Sequence, residues 1–330
     1  RLNTFIKLNQ VLIELSAIER AEIIKQAANN NRWFNTSSVE QALSGLIHLT
    51  DPVKMKTWLT GYDLKPSKQK IIGLIMAGNL PLVGFHDLIC VLLSGHKAAI
   101  KLSSQDLFLM QWIIRKLCEI EPAFIDQIDV CEQLKVMDAV IATGSNNTAR
   151  YFDYYFSKYP NLLRKTRHSI AVLDGNENDN NLAGLSNDIF NYFGLGCRSV
   201  SKVFLPRGYD LDILFNAFFS YKEIINHNKY VNNFDYNKAV YLMSKEKFIE
   251  NGFLILKEET KLGSPIGCLF YEFYDDKKDI LKLIQNNSDS IQCVASNLDL
   301  KTNIQFGQTQ CPTIGDYADN NDTIKFLLKI

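Results

Sequence analysis

A cysteine preceded by glycines is the residue of this chain best suited to nucleophilic chemistry. Cys197 closes the run Gly194-Leu195-Gly196-Cys197, where the glycines remove side-chain bulk and permit unusual backbone angles. Arg198 and Lys202 follow closely, and a nearby cation favours the thiolate, which is the reactive form of cysteine. The alternative is a small buried hydrophobic residue, the usual role of a cysteine outside disulfides.

The other six cysteines are scattered singly along the chain. No C-x-x-C pair occurs, so the sequence predicts neither a zinc site nor a thioredoxin-like redox motif. Cys311, which precedes Pro312 in a predicted loop, is a second candidate nucleophile. Scattered cysteines in a chain of this size are typical of a reduced, cytoplasmic protein.

Three further positions carry polar groups near the ends of predicted strands. Asn79 could donate an amide hydrogen bond to the oxyanion that forms when a thiolate attacks a thioester, or it could make the turn before Pro81. Gly144 and Ser145 could hold a phosphate at a strand-to-helix turn, or they could cap the helix. Lys101 ends a strand, where a lysine is often simply solvated.

The strands that carry these residues belong to a predicted α/β pattern. Residues 1–60 are predicted to be helical, and strands alternate with helices beyond residue 70. This alternation predicts parallel sheets covered on both faces, with ligands at the carboxyl ends of strands. The apolar segment 323–330 is predicted to be an edge strand that a partner subunit covers. The predicted strands span 71–77, 98–102, 138–142 and 169–173, followed by 202–205, 268–273 and 291–295.

The composition is that of a globular protein. Of the 330 residues 46% are hydrophobic, which excludes a disordered or collagen-like chain. Lys plus Arg and Asp plus Glu each total 36, so no net charge favours nucleic acid or an anionic membrane as a partner. The most apolar window, 88–93, is far shorter than the roughly 18 residues that span a bilayer. We therefore expect no transmembrane segment, no signal peptide and a cytoplasmic location.

Several ordered blocks make the chain resemble the aldehyde dehydrogenase superfamily from about residue 70 onward. Residues 78–104 are similar to its W-N-F-P…K-P-S-E block, and residues 142–145 (ATGS) to its F-T-G-S turn. Residues 194–197 (GLGC) are similar to its G-Q-x-C nucleophile loop. Residues 262–266 and 286–288 are similar to its E-I-F-G-P-V and N-N-S segments. The resemblance implies two Rossmann-like αβ domains.

Within that superfamily the chain is most similar to the LuxC-type acyl-CoA reductases, which reduce fatty acyl thioesters to aldehydes with NADPH. The similar segments are 78–81 (GNLP), 101–104 (KLSS) and 316–319 (DYAD). The resemblance implies that Cys197 is the nucleophile and Asn79 the oxyanion donor. Lys101 would contact the adenosine ribose or its 2′-phosphate, and Ser145 the pyrophosphate. The implied cofactor-binding residues are Gly78, Lys101, Ser104, Gly144 and Ser145.

Three departures from the superfamily pattern bear on the chemistry. Arg164 stands where hydrolytic members have the glutamate that activates water, and no carboxylate lies between Asp153 and Asp174. Without that base, a CoA thiolate is the expected acyl partner rather than water. Ser104 replaces a glutamate that repels a 2′-phosphate, so NADPH is the expected cofactor. Ala149 replaces a glycine of the phosphate-binding turn.

Together these features predict an aldehyde dehydrogenase-like α/β fold with an N-terminal helical segment and a C-terminal oligomerisation strand. The expected domains are N-terminal helices plus an NADPH-binding domain (1–175), a catalytic cysteine domain (176–305), and a tail (306–330). The tail would return to the first domain or to a partner subunit of a homodimer or higher homo-oligomer.

The expected function is NADPH-dependent reduction of a fatty acyl-CoA, or acyl-carrier thioester, to the aldehyde through a cysteine acyl-enzyme, without a metal. One alternative is NAD(P)-dependent oxidation of aldehydes, with a carboxylate at some other position as the base. The other is a non-catalytic nucleotide-binding relative. His168 is a candidate acid or base, although a lone histidine is more often structural.

Overall fold

The chain forms two compact units, seen in a computed structural model that describes residues 1–64, 68–144, 146–300 and 303–330. The first unit comprises Arg1–Thr166 and Pro312–Ile330, and the second comprises Arg167–Cys311. Each unit is built on one sheet with helices, which confirms the predicted α/β class. In the described part of the chain, no helix is long and apolar enough to cross a membrane.

The first unit holds a five-stranded parallel sheet with the order β3-β2-β1-β4-β5. Its strands are β1 (Ile71–Ile75), β2 (Lys97–Lys101), β3 (Ile128–Val130), β4 (Ala139–Thr143) and β5 (Asn161–Arg164). Its helices are α1 (Leu2–Glu14), α2 (Ala17–Asn30), α3 (Thr36–Leu49), α4 (Pro52–Leu59), α5 (Phe85–Leu93), α6 (Leu107–Ile120), α7 (Asn146–Phe156) and, from the end of the chain, α12 (Thr323–Lys329).

One hydrophobic core joins this sheet to the N-terminal helices. Ile72 and Ile100 of the central strands are fully buried in it, as the near-continuous apolar runs predict for strands covered on both faces. Phe5 and Leu8 of α1 belong to the same core and are also fully buried. The N-terminal helices, predicted from the sequence, therefore pack onto the sheet of the first unit.

The second unit holds a seven-stranded sheet with the order β12-β11-β6-β7-β10-β9-β8, parallel except for β8, which runs antiparallel to β9. Its strands are β6 (His168–Val172), β7 (Val200–Pro206), β8 (Ile249–Glu250), β9 (Ile255–Glu258), β10 (Cys268–Tyr274), β11 (Ile291–Ala295) and β12 (Asn303–Ile304). Its helices are α8 (Asp179–Phe190), α9 (Leu211–Phe218), α10 (Asn228–Met243) and α11 (Lys277–Asn286).

The strand predicted over 169–173 forms as β6, but it belongs to the second sheet, between β11 and β7. The first sheet ends instead with β5, which the sequence analysis did not predict. β5 has four residues that are mostly half-buried, so it lacks the buried apolar run that marks the central strands β1, β2 and β4. Alternation along the chain gives the order of the strands but not the sheet that each strand joins.

The segment predicted to be a C-terminal oligomerisation strand is the helix α12. Asp322 caps it by accepting the Lys325 N–H at 2.9 Å. Ile324 and Leu327, three residues apart, are fully buried in the core of the first unit. A short apolar run fits a strand or a helix equally well, and here the cap and one-sided burial select the helix. The predicted strand is therefore wrong.

Candidate active site

The candidate residues of the first unit lie near the carboxyl ends of its central strands. β1 pairs with both β2 and β4, so that Ile75 is opposite Lys101 on one side and Ala142 on the other. Asn79 follows β1 by a few residues, and Gly144 follows β4 directly. The sheet therefore brings the segments that carry these residues to one edge, as expected for ligand sites of parallel α/β sheets.

Gly78 allows the turn after β1 to touch the turn after β2. A Cβ at position 78 would lie 2.5 Å from Ser103 Oγ and 3.0 Å from the backbone nitrogen of Asp106, so a side chain does not fit there. Asn79 and Ser104, one on each turn, are exposed. A ligand at this edge can thus reach both side chains.

The turn after β2 has a charge that suits a nucleotide phosphate. Lys101 and Ser104 are exposed. Asp106 is the one acidic residue in the segment 101–106. Asp106 is 1% exposed, and burial raises the pKa of its carboxyl to about 8, so the group is protonated at neutral pH. The segment therefore carries one positive and no negative side-chain charge at neutral pH, which favours an anionic ligand.

Asp106→Asn is expected to change how the stability of the protein depends on pH. The folded chain retains the Asp106 proton up to about pH 8, whereas the unfolded chain releases it near the ordinary pKa of 3.8. The free energy of unfolding of the wild type therefore declines as the pH rises through that window. Because asparagine does not titrate, the variant should gain stability relative to the wild type from about pH 4 to about pH 8 and then stay level. Urea denaturation across this range measures the difference, and parallel pH profiles would contradict it.

The strand-to-helix turn after β4 is built around Gly144. A Cβ there would lie 2.9 Å from the Phe152 ring and 3.1 Å from Thr148 Cβ, both on α7. The turn is therefore packed tightly against its own helix. Ser145, the predicted pyrophosphate contact, lies outside the described residues, as does the side chain of Ala149.

Arg164 ends β5 and is buried in an ion pair. It is 5% exposed, and its guanidinium donates from Nη1 to Asp87 of α5 and from Nη2 to Thr323 Oγ1 of α12 at 2.9 Å. The position aligned with the water-activating glutamate thus holds a cation already engaged with a carboxylate and a hydroxyl. A guanidinium stays protonated in proteins, so Arg164 cannot serve as a general base.

In the second unit, Cys197 lies exposed on the turn between α8 and β7. Three successive residues before it, Tyr192, Phe193 and Gly194, have positive φ angles of 54°, 59° and 75°. A left-handed backbone costs a non-glycine residue about 1–2 kcal/mol, so this turn needs support from its surroundings. The Ser169 hydroxyl of β6 gives part of that support by donating to the Cys197 carbonyl at 2.8 Å.

His168 begins β6, beside Ser169. Its ring packs against Gly263, where a Cβ would lie 2.1 Å from His168 Cε1. Burial lowers the pKa of His168 below 6.5, so the imidazole is neutral at pH 7 and can donate or accept one proton. Among the described residues, no group of three or more His, Cys, Asp or Glu side chains could hold a metal ion.

Lys202, one of the two cations predicted near Cys197, is paired with carboxylate and carbonyl oxygens of its own unit. Its side chain is fully buried, and its ammonium donates to Glu272 at 2.6 Å and to the Glu259 carbonyl at 2.8 Å. These contacts engage the ammonium inside the second unit, so an effect of Lys202 on the Cys197 thiolate stays a prediction. Arg198, the other predicted cation, donates to a backbone carbonyl at 3.4 Å.

The other six cysteines have raised pKa values. Burial raises the pKa of Cys293 to about 11 and that of Cys268 to about 12. Cys311 is exposed, but partial burial and the nearby Asp188 carboxylate raise its pKa. A raised pKa lowers the thiolate fraction, so Cys311 is a weaker rival to Cys197 than its exposure alone indicates. Burial likewise raises the pKa of Cys90, Cys118 and Cys131.

The segment that carries the candidate residues matches a known protein family. Residues 16–213 match the family described as acyl-CoA reductase (LuxC), and this match includes Asn79, Lys101 and Cys197. The chain belongs to the LuxC acyl-CoA reductase family. It is therefore an enzyme, an oxidoreductase with aldehyde-related chemistry, and the resemblance noted in the sequence is confirmed. No curated protein gives a significant match.

The fold of this LuxC-family chain is similar to those of solved aldehyde dehydrogenases, which confirms the predicted fold. Aldehyde dehydrogenase 21 of Physcomitrella patens, in complex with the reaction product succinate, has a TM-score of 0.64 and 11% identity, covering 99% of this chain and 87% of that chain. An aldehyde dehydrogenase of Mycobacterium tuberculosis complexed with NAD+ has a TM-score of 0.64 and 12% identity, and the match covers 90% of this chain and 72% of that chain. The aldehyde dehydrogenase KauB of Pseudomonas aeruginosa has a TM-score of 0.66 and 12% identity, and the match covers 91% of this chain and 72% of that chain.

Two residues of the LuxC-family chain that shape these turns, Ser169 and Asp106, are not among the candidates predicted from the sequence. Ser169 holds the Cys197 carbonyl, but nothing in its local sequence marks a serine at the start of a strand as a donor to a turn 28 residues away. Asp106 had a detectable signal, because an aspartate just before an amphipathic helix is a candidate N-cap. Its partner is the backbone N–H of Leu82, on the turn after β1.

Proposed function

We propose that this LuxC-family protein reduces fatty acyl thioesters, of CoA or of an acyl carrier, to aldehydes with NADPH through an acyl-enzyme on Cys197. In this proposal the first unit binds the nucleotide and the second unit carries the nucleophile. The observation that carries the proposal is the exposed turn of Cys197, which Ser169 supports from β6 and which lies inside the segment that matches the family.

The reaction begins when the Cys197 thiolate attacks the carbonyl carbon of the thioester. The bond from that carbon to the CoA sulfur breaks, and CoA leaves as a thiolate that takes a proton from solvent. NADPH, when bound, supplies a hydride, which the carbonyl carbon of the acyl-enzyme accepts. The thiohemiacetal oxyanion then re-forms a carbonyl, the bond to the Cys197 sulfur breaks, and the aldehyde leaves with the thiolate restored.

Asn79 is proposed to donate its side-chain amide to the oxyanion, together with the Cys197 backbone N–H. The exposure of Asn79 on the turn after β1 supports this role, since an oxyanion donor must be open to substrate. A single donor of this kind contributes about 10²–10³ to kcat, because it is already oriented toward the developing charge.

Reduction is favoured over hydrolysis by the identity of residue 164. The guanidinium of Arg164 is buried against Asp87 and cannot take a proton from water. The acyl-enzyme therefore persists until hydride or a thiol reaches it. The cation at position 164 thus favours an acyl-CoA reductase over an enzyme that oxidises aldehydes to free acids.

Lys101→Ala is expected to reduce the preference for NADPH over NADH. The exposed ammonium of Lys101 attracts the 2′-phosphate of NADPH, whereas the neighbouring Ser104 adds no negative charge. Loss of the cation should raise the KM for NADPH about tenfold or more and leave the KM for NADH nearly unchanged. Steady-state kinetics with both cofactors measure the ratio. Lys97→Ala, at the opposite end of the same strand, is the matched control. An unchanged ratio would overturn the assignment of Lys101.

Intact-mass spectrometry after mixing the protein with acyl-CoAs of graded chain length tests the function directly. Without NADPH, the mass of the protein should increase by one acyl group. When NADPH is added, this adduct should disappear and the aldehyde should be released. Peptide mapping should place the acyl group on Cys197. An unmodified protein that nevertheless turns over acyl-CoA, or free acid as the product, would refute the proposal.

A further inference from the structure

The turns after β1 and β2 are joined at two points, with Asn79 between them. At one point Gly78 packs against Ser103, as described above. At the other, the backbone N–H of Leu82 donates to Asp106 Oδ2 at 2.6 Å. A displacement of the turn that carries Asn79 relative to the turn after β2 would therefore disturb one or both of these contacts.

The second contact holds a strained residue. Leu82 has a φ of 59°, a left-handed conformation that costs a non-glycine residue about 1–2 kcal/mol. It is also 5% exposed, so its N–H would be an unsatisfied buried donor without the Asp106 carboxyl. Phe85 at the start of α5 donates its N–H to the Leu82 carbonyl at 3.0 Å, which ties the strained residue to the following helix.

Asp106 occupies a capping position but does not cap its own helix. It is the N-cap residue of α6, and its side chain makes no capping hydrogen bond there. Asn30 of α2 supports the start of α6 instead, accepting the Phe108 N–H at 3.1 Å and donating to the Ser104 carbonyl at 3.2 Å. The Asp106 carboxyl is thereby available for Leu82.

We propose that Asp106 is a positioning residue that orients the Asn79 amide by holding the left-handed Leu82 turn. The inference rests on the function proposed above, and it adds a residue that never touches the substrate. The second carboxyl oxygen, Oδ1, is buried without a hydrogen-bond partner among the described residues. A buried oxygen without a partner costs less free energy in a neutral carboxylic acid than in a charged carboxylate, and the other oxygen still accepts the Leu82 N–H.

Asp106→Ala tests the proposal by two readouts. Hydrogen–deuterium exchange should become faster in the peptide that covers 78–84, because the Leu82 N–H loses its acceptor. The value of kcat should fall roughly 10- to 100-fold, part of the 10²–10³ expected for a complete oxyanion donor, with the KM for acyl-CoA little changed. In an Asn79→Ala background the same substitution should lower kcat less than about twofold, since the group that it positions is already absent.

Two further variants separate positioning from general destabilisation. Asp106→Asn keeps a neutral oxygen acceptor and should retain at least about half of the wild-type kcat at neutral pH. Asn9→Ala removes a buried side chain of α1 that donates to the Ile47 carbonyl at 2.7 Å, and it should reduce stability without lowering kcat.

The proposal is overturned if exchange over 78–84 is unchanged in Asp106→Ala. It is equally overturned if the losses from Asp106→Ala and Asn79→Ala multiply, or if Asn79→Ala alone has no effect. A different experiment tests the proposed function: thioester reduction that survives Cys197→Ala would refute it. The hydrogen–deuterium exchange of the segment 78–84 tests the role of Asp106 without any measurement of activity.

Discussion

Cys197→Ala is expected to abolish acyl-thioester reduction, with a loss in kcat of about 10⁴-fold or more. The reason is that the sulfur forms the covalent bond in which the acyl group is held during hydride transfer, and no other group replaces it. The measurement is the rate of NADPH consumption with acyl-CoA, together with the acyl adduct by mass spectrometry. NADPH binding should be retained, because the nucleotide is assigned to the first unit.

Cys311→Ala is the matched control, since Cys311 is the second exposed cysteine of the same unit. Its pKa is raised by burial and by Asp188, so its thiolate fraction is low and its loss should leave kcat nearly unchanged. The reverse result, an active Cys197→Ala and an inactive Cys311→Ala, would transfer the nucleophile to Cys311. Activity in both variants would rule out a cysteine acyl-enzyme at either position.

Arg164→Met is expected to lower the free energy of unfolding by about 3–5 kcal/mol. The substitution leaves the Asp87 carboxylate, which is 7% exposed, buried without its cationic partner. It also removes the hydrogen bond from Arg164 Nη2 to Thr323 at the start of α12. Urea denaturation of the purified variant measures the loss. A lower midpoint urea concentration, with an unchanged dependence of the free energy of unfolding on urea, identifies a pure stability effect.

The double variant Arg164→Met/Asp87→Leu is the informative control. Replacing both members of a buried ion pair by apolar residues removes the uncompensated charge, so most of the lost stability should return. Thr323→Val separately measures the contribution of the bond to α12. If the double variant were as unstable as Arg164→Met, the loss would come from packing around position 164 rather than from the buried charge on Asp87.

Much of the fold could be predicted from local patterns. The apolar runs of β1, β2 and β4 and the amphipathic helix α6 are each visible within a short window, because burial on one or both faces imposes a period on the residues themselves. The motif blocks around Asn79, Lys101 and Cys197 are equally local. Their order along the chain was enough to predict the aldehyde dehydrogenase-like fold, which the family match and the structural similarity confirm.

Contacts between distant residues could not be predicted in this way. Lys202 looked like an electrostatic neighbour of Cys197, but pairing with Glu272, 70 residues later, places it in the core. The segment 323–330 looked like an edge strand, and its helical form depends on an Asp322 cap and on a core formed by the rest of the first unit. Glu272 and the core of the first unit lie outside any local window, whereas the Asp322 cap directly precedes the helix and was a local signal.

By itself, therefore, the sequence determined the α/β class, the nucleophile candidate and the family, because each depends on residue types at short, regular separations. Only the tertiary structure decided that Asp106 accepts from Leu82 and that Arg164 pairs with Asp87. The physical reason is burial. A carboxyl or guanidinium removed from water must find a partner, and the folded chain decides which distant group comes within hydrogen-bonding distance.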